Sequence, residues 1–361
     1  MVANEINMKG AEVETVIDAT KAKLVSRRKR IQLPQWAVAW LVLIPALIFI
    51  LMFMLYPIIN TFFNAFIQDF NYTTGAGSFA LGQFFAGLAK GRPFAFGLSN
   101  FGKALAREDF RMSIANTAIL VIVEVPLTII VSLLIATFLN GIKVLKGFYQ
   151  TIFFLPYVTN TIALGLVFNI AFSKTEGGLI NIFLKNCFGV QDPINWLSSV
   201  KYGDLPVASR FNQGVVIVLY ALWNGLAFKI LVFMAGLATI DSQYYNAAKI
   251  DGASNFTIWR RITLPLLSPQ ILYITITSFI GAFKMYTGVM AVYQGAEAKS
   301  AYWFGGETGE EWMPVVGWIY KELEANYMRP GVASAASFIL LGIIMVITVA
   351  QFAVSKKRVH Y

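Results

Sequence analysis

Charge is scarce in this 361-residue chain: 13% of the residues are Asp, Glu, Lys or Arg, about half the share of a soluble globular domain, against 57% hydrophobic. A core surrounded by water cannot hide that much apolar surface. The single cysteine, Cys187, excludes an intrachain disulfide, and the single histidine, His360, leaves no His-based metal site, so no metal is expected. No Cys, His or paired-carboxylate constellation stands near an apolar run to carry out chemistry, which argues against a membrane enzyme and leaves no catalytic residue to name. A Gly-x-x-x-x-Gly-Lys-Ser/Thr phosphate loop is also missing, so any nucleotide-driven work falls to another chain. The net charge of +10 does not point to nucleic acid, because the basic residues flank apolar blocks and form no stripe on a polar surface.

What the chain has instead is length of apolar run. Blocks at 36–66, 112–139, 148–172, 214–240, 266–293 and 332–354 are each long enough to cross about 30 Å of hydrocarbon. The expected fold is an all-α integral membrane protein with six transmembrane helices. Six crossings put both termini on one side. Arg27 to Arg30, Lys143 and Lys146, Lys249 with Arg260 and Arg261, and Lys356 to Arg358 all fall on that side, which the positive-inside rule makes cytoplasmic. The chain then divides into a cytoplasmic tail over 1–33, a first helix and external loop over 34–111, a five-helix core over 112–354, and a basic tail over 355–361. Pro45, Pro57, Pro126 and Pro156 are expected to kink their spans, while Gly225, Ala235, Gly236, Ala238, Gly281 and Gly288 let helices approach closely. Trp196, Trp303, Trp312 and Trp318, in the external loops, read first as headgroup-level anchors.

The loop between the fourth and fifth spans, 241–269, is the most informative stretch. Asp241 or Ser242 is placed to cap a short helix bearing Ala247 and Ala248, and Gly252 permits a sharp turn. A second amphipathic piece with Phe256, Ile258 and Ile262 then runs to Pro265. Physics alone leaves two uses open for such an elbow: lying flat on the inner leaflet, or insertion into a partner's groove with Arg260 and Arg261 meeting acidic groups or lipid phosphates.

This stretch resembles the EAA loop of ABC importer permeases, with Asn246-Ala247-Ala248, then Asp251-Gly252-Ala253, then Ile262-Thr263-Leu264-Pro265. Asn246 stands where that family usually has Glu, and it keeps both an acceptor and a donor. Phe154-Leu155-Pro156-Tyr157, Asn116-Thr117, Trp196-Leu197-Ser198, Ala235-Gly236-Leu237, Ser278-Phe279 and Ala282-Phe283 are similar to the carbohydrate-uptake branch, near the larger maltose-type subunit. The resemblance covers roughly 36–354 and implies the type I importer permease fold in the cell (plasma or inner) membrane. It also implies a heterodimer with a second permease subunit, two ATPase subunits gripping the elbow, an extracytoplasmic solute-binding protein, and no cofactor on this chain, with ATP and Mg on the ATPases.

Ionisable groups inside spans are expected to face protein or water. Glu124, Lys229 and Lys284 are such groups, and with Tyr157, Asn160, Asn224, Phe283 and Tyr286 they form the candidate substrate pathway, a mixture suited to stacking on sugar rings and bonding hydroxyls. The alternative for the charges is structural: Glu124 pairs with a lysine to hold helices together, or the lysines snorkel. The leading reading is a sugar importer permease. A polyol phosphate importer remains the alternative, and an ion-coupled secondary carrier is a different class that would normally show repeat halves and intramembrane carboxylates.

Overall fold

The computed structural model describes residues 34–67, 96–142, 144, 146–173, 177–197, 208–294, 312–323 and 329–355. Arg27 to Arg30, Lys143, Ser198, Trp303, Lys356 to Arg358 and His360 lie outside these residues. The chain separates into two units, Met1–Ile59 and Asn60–Tyr361.

In the first unit the helix α1 (Gln35–Ile50) has no buried residue. It continues into a π turn at Leu51–Leu55 and then α2 (Tyr56–Phe66), whose last residues belong to the second unit. The π turn ends two residues before Pro57. Proline brings no N–H, and its ring would crowd the carbonyl four residues back, so the chain widens by one residue per turn.

The second unit is a helical bundle, and the described residues contain no strand, only an isolated bridge between Ile67 and Phe96. Its helices are α3 (Ser99–Ala106), α4 (Glu108–Gly141), α5 (Lys146–Val158), α6 (Thr161–Ala171), α7 (Leu179–Phe188) and α8 (Arg210–Ala238). After these come α9 (Ser242–Ile250), α10 (Asn255–Ile258), a π turn at Trp259–Thr263, α11 (Leu264–Leu266), α12 (Ser268–Phe283), α13 (Thr287–Gln294), α14 (Val315–Leu323) and α15 (Pro330–Ser355). Four helical stretches, Gln35–Phe66, α4, α8 and α15, are long and apolar enough to cross a membrane unbroken. Two more qualify only as bent pairs: Gly147–Val158 with Thr161–Ala171, at 99°, and Asn255–Leu266 with Ser268–Phe283, at 66°.

The 66° bend falls at Leu267, at the start of the block 266–293, and two blocks expected as single spans are themselves broken. The run 148–172 breaks at Thr159–Asn160 because the Asn160 side chain accepts hydrogen bonds from the Ile162 and Ala163 N–H groups and starts a new helix. The run 266–293 breaks at Lys284–Tyr286, between α12 and α13. Pro45 and Pro126 sit inside helices they do not end, Pro156 precedes the end of α5 by two residues, and Pro265 follows the second π turn as Pro57 follows the first.

The centre of the bundle is α8 lying along α4, with α12 packed on α4 and α13 on α6. Lipid tails are as apolar as leucine, so burial alone drives little association here and close contact must do more. Gly236 of α8 and Gly288 of α13 supply it: a Cβ on the first would meet Gln270 of α12 at 2.8 Å, and one on the second would collide with Tyr220. Gly281 differs from its expectation as a packing glycine, since a Cβ there would meet nothing within 4 Å. Asn169 ties α6 to α13 by donating to the Val292 carbonyl at 2.7 Å.

One apolar cluster, with Leu133, Leu139, Ile230, Phe233 and Leu267, fills the end of the bundle near the elbow, and another, with Phe110, Val121, Ile217, Trp312 and Trp318, fills the far end. Trp312 and Trp318 thus depart from the anchor reading. Both are buried: Trp312 Nε1 donates to the Arg210 carbonyl at 2.8 Å, and Trp318 packs on Phe110 with Arg107 over its face. The segment carrying them is held to α4 by the Thr117 hydroxyl, which accepts from the Val315 N–H at 3.0 Å, and by Asn116, which donates to the Met313 carbonyl and accepts from Arg210 at 2.6 Å. Trp196 donates through Nε1 to Asn181, a buried amide that also bonds Ser173 and Ile194 of the surrounding loop.

Candidate functional site

Two places in the second unit gather the residues singled out in the sequence. The first is a cavity of about 540 Å³ inside the bundle. Glu124 reaches it from α4, Tyr157 from α5, and Asn224, Phe228 and Lys229 from α8. Thr277, Ser278 and Gly281 of α12 complete the wall, together with Lys284, Tyr286 and Thr287 at the break that follows. The two helix breaks are what make room for it. Where α5 stops and α6 starts, Thr159 and Thr161 face the cavity, and Lys284 to Thr287 do so where α12 hands over to α13.

The wall mixes chemistries. Tyr157 stacks on Phe228 with ring centres 6.2 Å apart, and Tyr286 stacks on Tyr320 at 4.6 Å. The Tyr220 hydroxyl donates to the Thr161 carbonyl, which ties α8 to the first turn of α6. Lys229 Nζ lies 3.9 Å from Glu124 Oε1, both side chains being less than a tenth exposed, and the Thr128 hydroxyl lies 3.2 Å from the same oxygen. An ion pair of this kind holds α4 to α8 in an apolar setting where either charge alone would be strongly penalised. Gly225 leaves the space that Lys229 occupies, since a Cβ there would stand 2.8 Å from the ammonium.

Of the candidate pathway residues, Glu124, Tyr157, Asn224, Lys229, Lys284 and Tyr286 line this one cavity. Asn160 serves as the cap of α6, and Phe283 is buried in the apolar cluster at the far end. Thr161, Tyr220, Phe228, Thr277 and Thr287 line the cavity without having been singled out, and Ser278, noted only for its family resemblance, lines it too. Phe228 lies four residues after Asn224, a spacing that puts the two on one helix face and was a readable signal. The threonines carried no such signal, because their placement depends on breaks that apolarity does not reveal.

The second place is the elbow. Asp241 caps α9 by accepting from the Gln243 N–H at 2.9 Å, and Ser254 caps α10 by accepting from the Thr257 N–H at 3.3 Å. Between them the chain turns through Gly252 at φ +72, where the Ala253 N–H reaches back to the Ala248 carbonyl at 2.9 Å and the Gly252 N–H to Lys249 at 3.1 Å. These two bonds are the paired closure of a Schellman turn, which uses a positive φ at the glycine position. A hydroxyl contact between Tyr245 and Thr263 at 3.3 Å joins the two limbs, and Trp259 Nε1 donates to Thr137 of α4 at 3.3 Å.

The structure brings Asn246, Ala247, Ala248, Asp251, Gly252 and Ala253 together on the first limb and corner, and Ile262, Leu264 and Pro265 on the second. No residue of α9 is buried, and Ile250 is 86% exposed. No group of three or more His, Cys, Asp or Glu residues among the described residues could hold a metal.

The family model of binding-protein-dependent transport system inner membrane components matches residues 125–360. The arabinooligosaccharides transport system permease protein of Bacillus subtilis (strain 168) is 29% identical over 356 residues, covering 96% of this chain and 98% of its own length. The lactose transport system permease protein of Rhizobium radiobacter is 27% identical over 322 residues, 88% of this chain and 94% of its own. In fold, the chain is similar to a chain of a bacterial ABC transporter involved in the import of the acidic polysaccharide alginate, with a TM-score of 0.70 and 19% identity over 93% of this chain and 99% of that one.

Proposed function

The chain belongs to the family of inner membrane components of binding-protein-dependent transport systems, and from that premise we propose that it forms half of the pathway of an ATP-driven importer whose cargo is a sugar. In this reading a second permease subunit completes the pathway, two ATPases grip the elbow from the cytoplasm and hydrolyse ATP with Mg²⁺, and a solute-binding protein delivers cargo from outside. The chain itself hydrolyses nothing, and both of its termini face the cytoplasm.

The observation that carries the reading is a continuity of backbone. The second limb of the elbow leads into α12 through a 66° bend at Leu267, and the far half of α12 walls the cavity with Thr277, Ser278 and Gly281. A push on the exposed first limb, joined to the second by Tyr245 and Thr263 and through Trp259 to α4, is passed along packed helices to the cavity wall, which is what alternating access requires. Hydroxyls, an amide and aromatic rings around about 540 Å³ suit a small carbohydrate, and the two relatives named above are permeases for sugars.

The test is to change the elbow's outer surface and follow its partners. Ala248→Asp and Gly252→Trp are expected to leave the chain in the membrane yet abolish both co-purification of the ATPases and uptake. A Cβ at Gly252 meets nothing of this chain within 4 Å but strains the corner at φ +72, so Ala248→Asp, which leaves the backbone conformation alone, is the variant that reports on docking by itself. Normal uptake with either variant would refute the elbow's part.

A further inference from the structure

The charges around the cavity do not balance. Among the described residues of this chain, the wall carries one carboxylate, Glu124, and two ammonium groups, Lys229 and Lys284. Glu124 is already engaged by Lys229 at 3.9 Å and by the Thr128 hydroxyl at 3.2 Å. Lys284 stands at the C-cap of α12. The carbonyls at that helix end attract a cation, but the first turns of α6 and α13 open on the same space at Thr161 and Thr287 and present the opposite partial charge. These helix ends bring partial charges of both signs to the space, and Lys284 adds a full positive charge to them.

That excess bears on what the cavity accepts. A neutral sugar filling the space strips water from the Lys284 ammonium and gives it only dipoles in return, which is unfavourable for a group losing its hydration. A sugar carrying a negative group removes the same water and neutralises the charge with a charge-assisted hydrogen bond. Resting on the transport reading above, we propose that the cargo is a sugar or polyol bearing a single anionic group, a carboxylate or a phosphate ester, and that Lys284 is the residue that selects for it. The stacked Tyr157 and Phe228 rings and the hydroxyls of Thr277 and Ser278 then hold the uncharged part of the molecule.

The test reads the cavity's charge directly. With Cys187→Ser removing the only native thiol of this chain, Ser278→Cys places one on the cavity wall of the intact transporter in membrane vesicles, and modification is read on this chain after its separation from the others. Its rates of modification by an anionic and a cationic methanethiosulfonate are then compared with and without Lys284→Met. The anionic reagent is expected to be favoured by about tenfold with Lys284 present, the advantage vanishing in Lys284→Met and returning in Lys284→Arg. Protection of the thiol by galacturonate identifies the carboxylate as the group read, and protection by glycerol 3-phosphate identifies the phosphate ester. Equal rates for the two reagents whether or not Lys284 is present, or protection by lactose that is as strong in Lys284→Met as in its parent, overturn the proposal while leaving a transport cavity in place. A thiol that neither reagent reaches overturns the cavity as a pathway, and the proposal with it.

Discussion

At the scale of single residues, the ion pair in the bundle and the ionic cluster beyond it make opposite demands. Lys229→Met leaves the Glu124 carboxylate buried without its partner, and the expected loss is about 3 kcal/mol, seen as a lowered melting temperature in nanodiscs. Adding Glu124→Gln to the same chain is expected to recover most of the loss, because two neutral groups need no pairing. A double variant as unstable as the single one would show that the pair is not what holds α4 to α8. The second cluster lies at the far end, where Glu322 is fully buried on α14, with Arg107 at 2.8 Å, Arg329 at 3.9 Å, and Asp109 and Lys321 also facing it. Burial pushes its carboxyl above the usual glutamate range and the Asp109 charge adds to this, while Arg107, Arg329 and Lys321 oppose. With the folded-state value raised, the Glu322 contribution to stability is full below the unfolded glutamate pKa of about 4.3 and is lost as pH rises through the raised value. Melting curves taken from acid to neutral pH are expected to show this decline in the parent chain and a flatter profile in Glu322→Gln.

At the scale of elements, the sequence was legible where a local signal decides the outcome. The elbow is the clearest case: Asp241 as cap, Gly252 as corner and a second limb ending at Pro265 are all set by neighbours within a few positions, and the structure has each of them. Asp241→Ala is expected to remove about 1 kcal/mol of local helix stability, read as faster amide exchange across α9 with the exchange of α8 unchanged. The broken spans were less legible, since an unbroken apolar run hides a break. Asn160 directly before Thr161-Ile162-Ala163 was a cap signal of the ordinary kind, but it lay inside a run whose apolarity was sufficient to cross a membrane by itself. The break at Lys284–Tyr286 had only the lysine to mark it. Trp312 and Trp318 were misread for another reason: their burial depends on Thr117, Asn116 and Arg210, about a hundred or more positions away, and no local pattern carries that information.

At the scale of the whole molecule, hydrophobic length alone was enough to place the chain in lipid, and the order of short motifs was enough to name its family. The assembly of the cavity needed the fold, because its wall comes from four helices and the two breaks between helices. One expectation belongs to this scale. Gly236→Leu separates α8 from α12 where a Cβ would already meet Gln270 at 2.8 Å, so it is expected to loosen the transmission from elbow to cavity. Uptake should fall severalfold with ATPase co-purification intact, the reverse of the pairing expected when the elbow's surface is altered. The corner at Gly252 leads further. Its φ of +72 is a region natural to amino acids of mirror-image chirality, and the volume beside it is empty in this chain. A D-alanine ligated there by semisynthesis should therefore stiffen the bend where L-alanine strains it, so that stereochemistry alone, at constant atomic composition, would set how faithfully the limb relays force.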